Sequence, residues 1–158
     1  MSTVRSAVGL VVAVAICEAA GIVGAVFTTP AIPTWYAGLA KSALTPPAWV
    51  FGPVWTTLYA LMGIAAYLAW RTRAPSAGRA LWLFALQLAL NVLWSVVFFG
   101  YRAPAPALLV IALLWLAIAA TIAAFAKLSR AGAWLLAPYL LWVSFAAYLN
   151  LAIVLMNP

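Results

Sequence analysis

Five apolar runs, each longer than the roughly 18 residues that mark a membrane-crossing helix, follow one another along the chain. They cover roughly 6–27, 47–70, 80–100, 105–127 and 133–156. At about 1.5 Å of rise per residue, each is long enough for the roughly 30 Å of hydrocarbon in a bilayer. Lipid offers no partner to a peptide N–H or C=O, so each run must satisfy its own backbone, which a helix does. β-Barrel strands would be shorter and would alternate apolar with polar residues. The expected fold class is an all-α integral membrane protein, a five-transmembrane-helix bundle forming a single domain over 1–158. Composition agrees: with 70% hydrophobic and 6% charged residues, there is too little polar surface to cover a core in water.

Arg5 precedes the first run as it would in a signal peptide, but that run is longer than a signal-peptide core and contains Glu18. It reads as an uncleaved span. The net charge of +7 comes from residues at the ends of the runs, with no basic patch, so it points to topology and not to a nucleic-acid partner. Arg5, Arg71, Arg73, Arg79, Lys127 and Arg130 share the N-terminal side, and Lys41 and Arg102 fall on the other. Six against two places the N-terminus in the cytoplasm, with the C-terminus and the long connection 28–45 outside. The chain has no histidine, which excludes Ser-His-Asp and Cys-His chemistry. Cys17 and Glu18 are each the only residue of their kind, too few to hold zinc, and no metal, cofactor or disulfide is expected. No internal repeat is visible, and an odd number of spans argues against two inverted halves.

The second run opens as "TPPAWVFGPVWTTLYALMG", 45–63. Pro46 and Pro47 suit a helix's first turn, where the missing N–H costs nothing. Pro53 falls about one and a half turns later and is expected to kink the helix or break its first turn. A bend opens a gap that side chains or a ligand must fill. Phe51, Trp55 and Tyr59 recur at four-residue spacing, so they share one face. Trp35, Trp49, Trp70, Trp82 and Trp134 lie near run ends and read as the interfacial aromatic belt. Trp55, Trp115 and Trp142 lie deeper, with Trp94 intermediate, and a deep indole needs a partner for its N–H.

Polar groups recur at similar depth. Glu18 is in the first run, Gln87, Asn91 and Ser95 share a face of the third, and Tyr139, Trp142, Ala146 and Asn150 share a face of the fifth. Counted from the outer ends, Trp55, Glu18, Asn91, Ala146 and Asn150 fall roughly 9–15 Å down, and Trp142 about 20 Å. One reading is hydrogen bonding that glues the helices together. The other is a cavity, which the excess of tryptophan favours because glue does not require indoles. Such a cavity suits a flat, hydrophobic, conjugated ligand, with a few amides and a lysine at the mouth for its polar edge. Composition does not separate a tetrapyrrole from a sterol or another planar lipid.

The stretches "WYAGLAKSALTPPAWVFGPVWTTLYALMGIAAYLAW", "LFALQLALNVLWSVVFFG" and "LLAPYLLWVSFAAYLNLAIVLMN" together strongly resemble the first loop and helices 2, 3 and 5 of the TspO/MBR family of tryptophan-rich sensory or translocator proteins. The resemblance implies a five-helix bundle, often a homodimer, in a prokaryotic cell membrane. It implies binding of porphyrins such as protoporphyrin IX, of haem-related tetrapyrroles and of similar planar hydrophobic molecules. By the same resemblance the ligand-binding positions are Tyr36, Pro46, Trp55, Asn91, Trp94, Trp142, Ala146 and Leu149. Trp55 and Trp142 match the pair implicated in light-driven porphyrin breakdown, so they are the catalytic candidates if that reaction occurs.

Two features depart from the family pattern. Lys41 is followed by Ser42 where the family often has proline, which implies a looser loop. The C-terminal "LNLAIVLMNP" lacks the tyrosine-then-basic pattern of the sterol-binding members, while "LMGIAAYLAWR" fits the loose form of that pattern. The readings to be weighed are a tetrapyrrole sensor or transporter, a light-dependent porphyrin-degrading enzyme, and a lipid- or sterol-binding structural membrane protein. Gly21-x-x-x-Ala25 and Ala85-x-x-x-Ala89 offer close helix contacts for assembly.

Overall fold

A computed structural model describes residues 3–158, which are helical apart from the connections between helices, the longest of them 32–50. Helix α1 spans Thr3–Ala31, α2 Phe51–Trp70, α3 Ala77–Ser95, α4 Pro104–Ala126, α5 Arg130–Leu135 and α6 Ala137–Met156. The described residues form five segments long and apolar enough to cross a membrane, α5 and α6 together making the fifth. The bundle closes in the order α1, α2, α5–α6, α4, α3, and α3 returns to α1.

Three departures from the expected spans shape the interior. First, Pro46 and Pro47 lie outside α2. Pro47 is extended (φ −56°, ψ 146°), and a single 3-10 turn, Ala48–Val50, leads into the helix. Pro53 consequently falls in the first α-helical turn, where its missing N–H is not needed. The expected disruption is a late start to α2, not a kink further along.

Second, the chain continues from α3 as one π-helical turn, Val96–Gly100, closed by Tyr101 N–H donating to Val96 O at 2.9 Å. The wider turn turns Phe98 fully inward. Gly100 permits it, since a Cβ there would stand 2.9 Å from the Phe27 ring of α1.

Third, the fifth span is broken at Leu136. Pro138 in the first turn of α6 has no N–H for the preceding turn, so α5 ends at Leu135 and α6 starts afresh at Ala137. Helix α5 packs closely on α2, but α6 does not. The gap this leaves between α2 and α6 is spanned by the aromatic pairs Phe51–Trp142 and Trp55–Tyr139.

Candidate functional site

The gap is a cavity of about 480 Å³, walled by α1, α2, α3, the π turn, α6 and the connection between α1 and α2. Its volume lies within the range of small-molecule sites, about 300–1,000 Å³. From α2 come Phe51, Trp55 and Tyr59, the four-residue stripe read from the sequence. Trp55 packs at 5.7 Å from the Tyr59 ring and edge-on at 6.3 Å from Tyr139 of α6. Trp142 packs edge-on against Phe51 at 6.2 Å and Phe145 at 5.8 Å. These contacts hold both indoles half-buried at the cavity wall. Neither indole N–H has a protein acceptor among the described residues, whereas Trp94 and Trp115 each have one.

Hydrogen bonds between helices set the walls. Tyr59 Oη donates to Asn91 Oδ1 at 2.8 Å, and Asn91 Nδ2 donates to Tyr139 Oη at 2.7 Å, so one amide joins α2, α3 and α6. Trp94 Nε1 donates to Asn150 Oδ1 at 3.1 Å, and Asn150 Nδ2 donates to the Pro104 carbonyl at 2.8 Å. The glue reading therefore holds for both asparagines, and the cavity sits beside the glued groups. Phe98 stacks on Trp94 at 5.2 Å and meets Phe99 at 4.7 Å, so the π turn supplies an aromatic wall that helical periodicity does not reveal.

The α1–α2 connection is fastened over the cavity. Lys41 Nζ donates to the carbonyls of Tyr36 (2.8 Å), Ala37 (3.2 Å) and Leu39 (2.8 Å) and stands 5.0 Å from the centre of the Tyr36 ring. The expected role of Lys41 at a ligand's polar edge is corrected here, because all three of its protons are spent on the loop. Asn157 exchanges two bonds with Ala40, at 3.0 and 2.9 Å, and Ser42 pairs with Tyr148 at 2.9 Å. The loop is thus tied down despite lacking proline after Lys41. Asn157 and Tyr148 carried no signal in the sequence, since their partners lie more than a hundred positions away. Burial of Tyr36 raises its phenol's pKa above the ordinary tyrosine value, keeping it neutral.

A family model for the TspO/MBR family matches residues 13–156. The chain belongs to the TspO/MBR family. It is 42% identical over 153 residues to the Tryptophan-rich protein TspO of Chlorobaculum tepidum, covering 94% of this chain and 96% of that one. The Archaeoglobus fulgidus protein of the same name is 44% identical over 148 residues, with 94% and 96% covered. The Translocator protein of Homo sapiens is 45% identical over 119 residues, covering 73% of this chain and 70% of its own.

In this TspO/MBR chain, Tyr36, Trp55, Asn91, Trp94, Trp142, Ala146 and Leu149 all line the one cavity, together with Glu18 and Asn150. Pro46 is half-buried but is not among the lining residues, because it precedes the 3-10 turn that enters α2. Trp142 lies one turn below Ala146 and two turns below Asn150 along α6, as the count from the outer end of that helix expects, and its ring meets Phe51 at the start of α2. Trp115 has the N–H partner that a deep indole needs, donating to Ser144 Oγ at 2.9 Å on the exposed side of α4 and α6. Trp35, read as a belt residue, packs edge-on against Phe98 at 5.6 Å. Gln87 is fully buried but outside the cavity, 3.9 Å from Met62 Sδ, with its Oε1 unpartnered among the described residues. Gly21 is consumed inside the bundle, where a Cβ would stand 2.6 Å from the Tyr59 ring.

Proposed function

We propose that this TspO/MBR protein is a membrane receptor, sensor or transporter that takes porphyrins, haem-related tetrapyrroles and similar planar hydrophobic molecules into the cavity between α2 and α6. The observation that carries this reading is the pair Trp55 and Trp142. They stand on facing helices at the wall of a cavity of about 480 Å³ and donate their N–H groups to no protein atom among the described residues. Flat indole faces on a preformed apolar cavity suit a flat conjugated guest. The test is titration of the purified protein with protoporphyrin IX, followed by tryptophan quenching. Ala146 lines the cavity, so Ala146→Phe fills it and is expected to weaken binding by about tenfold or more. Unchanged affinity in both Ala146→Phe and Trp142→Phe rules the cavity out.

The same unpartnered indoles favour a second reading, light-driven oxidative breakdown of a bound porphyrin at Trp55 and Trp142. Glu18 is the chain's only acid and histidine is absent, so general acid–base catalysis by a pair is not on offer. Illumination with protoporphyrin IX under air should consume the pigment in the wild type. Undiminished product from the Trp55→Phe, Trp142→Phe double variant rejects this reading. The six-to-two charge asymmetry supports a cytoplasmic N-terminus in a prokaryotic cell membrane. Exposed Ala85 and Ala89 on α3 support a homodimer packed along that helix, which cross-linking through Ala85→Cys tests.

A further inference from the structure

The chain's single carboxylate opens into the cavity just described, and no cation does. Glu18 lines the wall contributed by α1, while no lysine or arginine is among the lining residues. Lys41, the nearest candidate by sequence, spends its protons on loop carbonyls. Glu18 itself forms no ion pair or hydrogen bond among the described residues, although it lies in the middle of α1, within an apolar span. Two of the polar side chains that share the cavity are already engaged: the Tyr59 hydroxyl donates to Asn91, and Asn150 bridges Trp94 and Pro104. An ionisable group inside a membrane span is costly unless something complementary reaches it, and a ligand in the cavity lies within reach of Glu18.

Resting on the cavity reading above, we propose that Glu18 is a specificity-determining residue: the site prefers planar ligands whose inward edge is cationic or carries N–H donors, and it disfavours carboxylates at that edge. A dicarboxylic tetrapyrrole then binds with its apolar edge facing inward and its carboxylates directed out toward the loop. An inward carboxylate would meet like charge with no counter-ion in the wall.

Two isosteric three-ring probes isolate the charge. 10-Methylacridinium is a planar cation and 9-methylanthracene its neutral hydrocarbon counterpart. Binding of each is followed by fluorescence against the wild type, Glu18→Gln, Glu18→Asp and Ala146→Phe in the same detergent. The expected result is that Glu18→Gln weakens the acridinium by about tenfold and leaves methylanthracene within about twofold. Glu18→Asp should retain the preference for the cation. Ala146→Phe should weaken both probes, since both occupy the cavity. Acridinium affinity unchanged in Glu18→Gln overturns the proposal, as does an equal loss of both probes, which would make Glu18 a packing residue. Failure of both probes to bind the wild type overturns the cavity reading itself, a result distinct from the loss of charge selectivity.

Discussion

Asn91 donates to the Tyr139 hydroxyl across 2.7 Å, linking α3 to α6 at a point where both side chains are fully buried. The bond matters because α6 packs on α4 and not on α2, so hydrogen bonds from Asn91 and Trp94 are what tie it to α3. The amide's oxygen accepts from Tyr59, so one residue anchors both helices that flank the cavity.

Asn91→Ala should therefore loosen the bundle. It leaves two buried phenols without their shared partner, at a cost of about 1–3 kcal/mol. A lowered thermal midpoint in detergent, with a smaller drop for Tyr59→Phe, is the expected result. A midpoint equal to wild type would show that the two tyrosines find other partners.

Gln87→Leu should have the opposite sign. The Gln87 amide is fully buried, its nitrogen meets only the Met62 sulfur at 3.9 Å and its oxygen has no partner. Removing a half-satisfied amide while keeping similar volume is expected to be neutral or to stabilise by up to about 1 kcal/mol. Thermal unfolding beside Asn91→Ala checks it, and a clear loss would reveal a role for the amide beyond packing.

Gly63 marks a close approach of α1 and α2. A Cβ there would lie 2.5 Å from the Val14 Cα, a clash with backbone and not with a movable side chain. Gly63→Ala should cost about 1–3 kcal/mol through overpacking. Because α1 also forms a cavity wall, ligand affinity should fall along with the thermal midpoint.

Lys41→Met tests whether the lysine serves the loop or the ligand. It removes three bonds to loop carbonyls. Faster amide hydrogen exchange across 36–41 is expected, together with a faster ligand off-rate for neutral and charged probes alike. An effect confined to anionic probes would instead make Lys41 a ligand contact.

Several parts of the site were legible in the sequence because helical periodicity carries them. Phe51, Trp55 and Tyr59 needed only a helix to share a face, as did Asn91 and Ser95, and all five line the cavity. Gln87 shares the same spacing yet points into a solid part of the core, because it lies one turn deeper, where α2 and α3 close together. Phe98 and Phe99 were hidden because their inward turn depends on a π-helical turn beside Phe27, a contact between distant segments. Asn157 on Ala40 and Tyr148 on Ser42 were hidden for the same reason.

That this is a five-span helical membrane protein follows from the chain alone, because run length and the need to satisfy backbone hydrogen bonds in lipid leave no other fold. Which indoles and amides share a helix face follows in the same way, from local geometry. That the faces meet around a cavity emerges from the packing of the helices. That depends on where α2 starts, where α6 breaks and how the helices tilt, all of which are set by proline placement together with close contacts between residues remote in the chain.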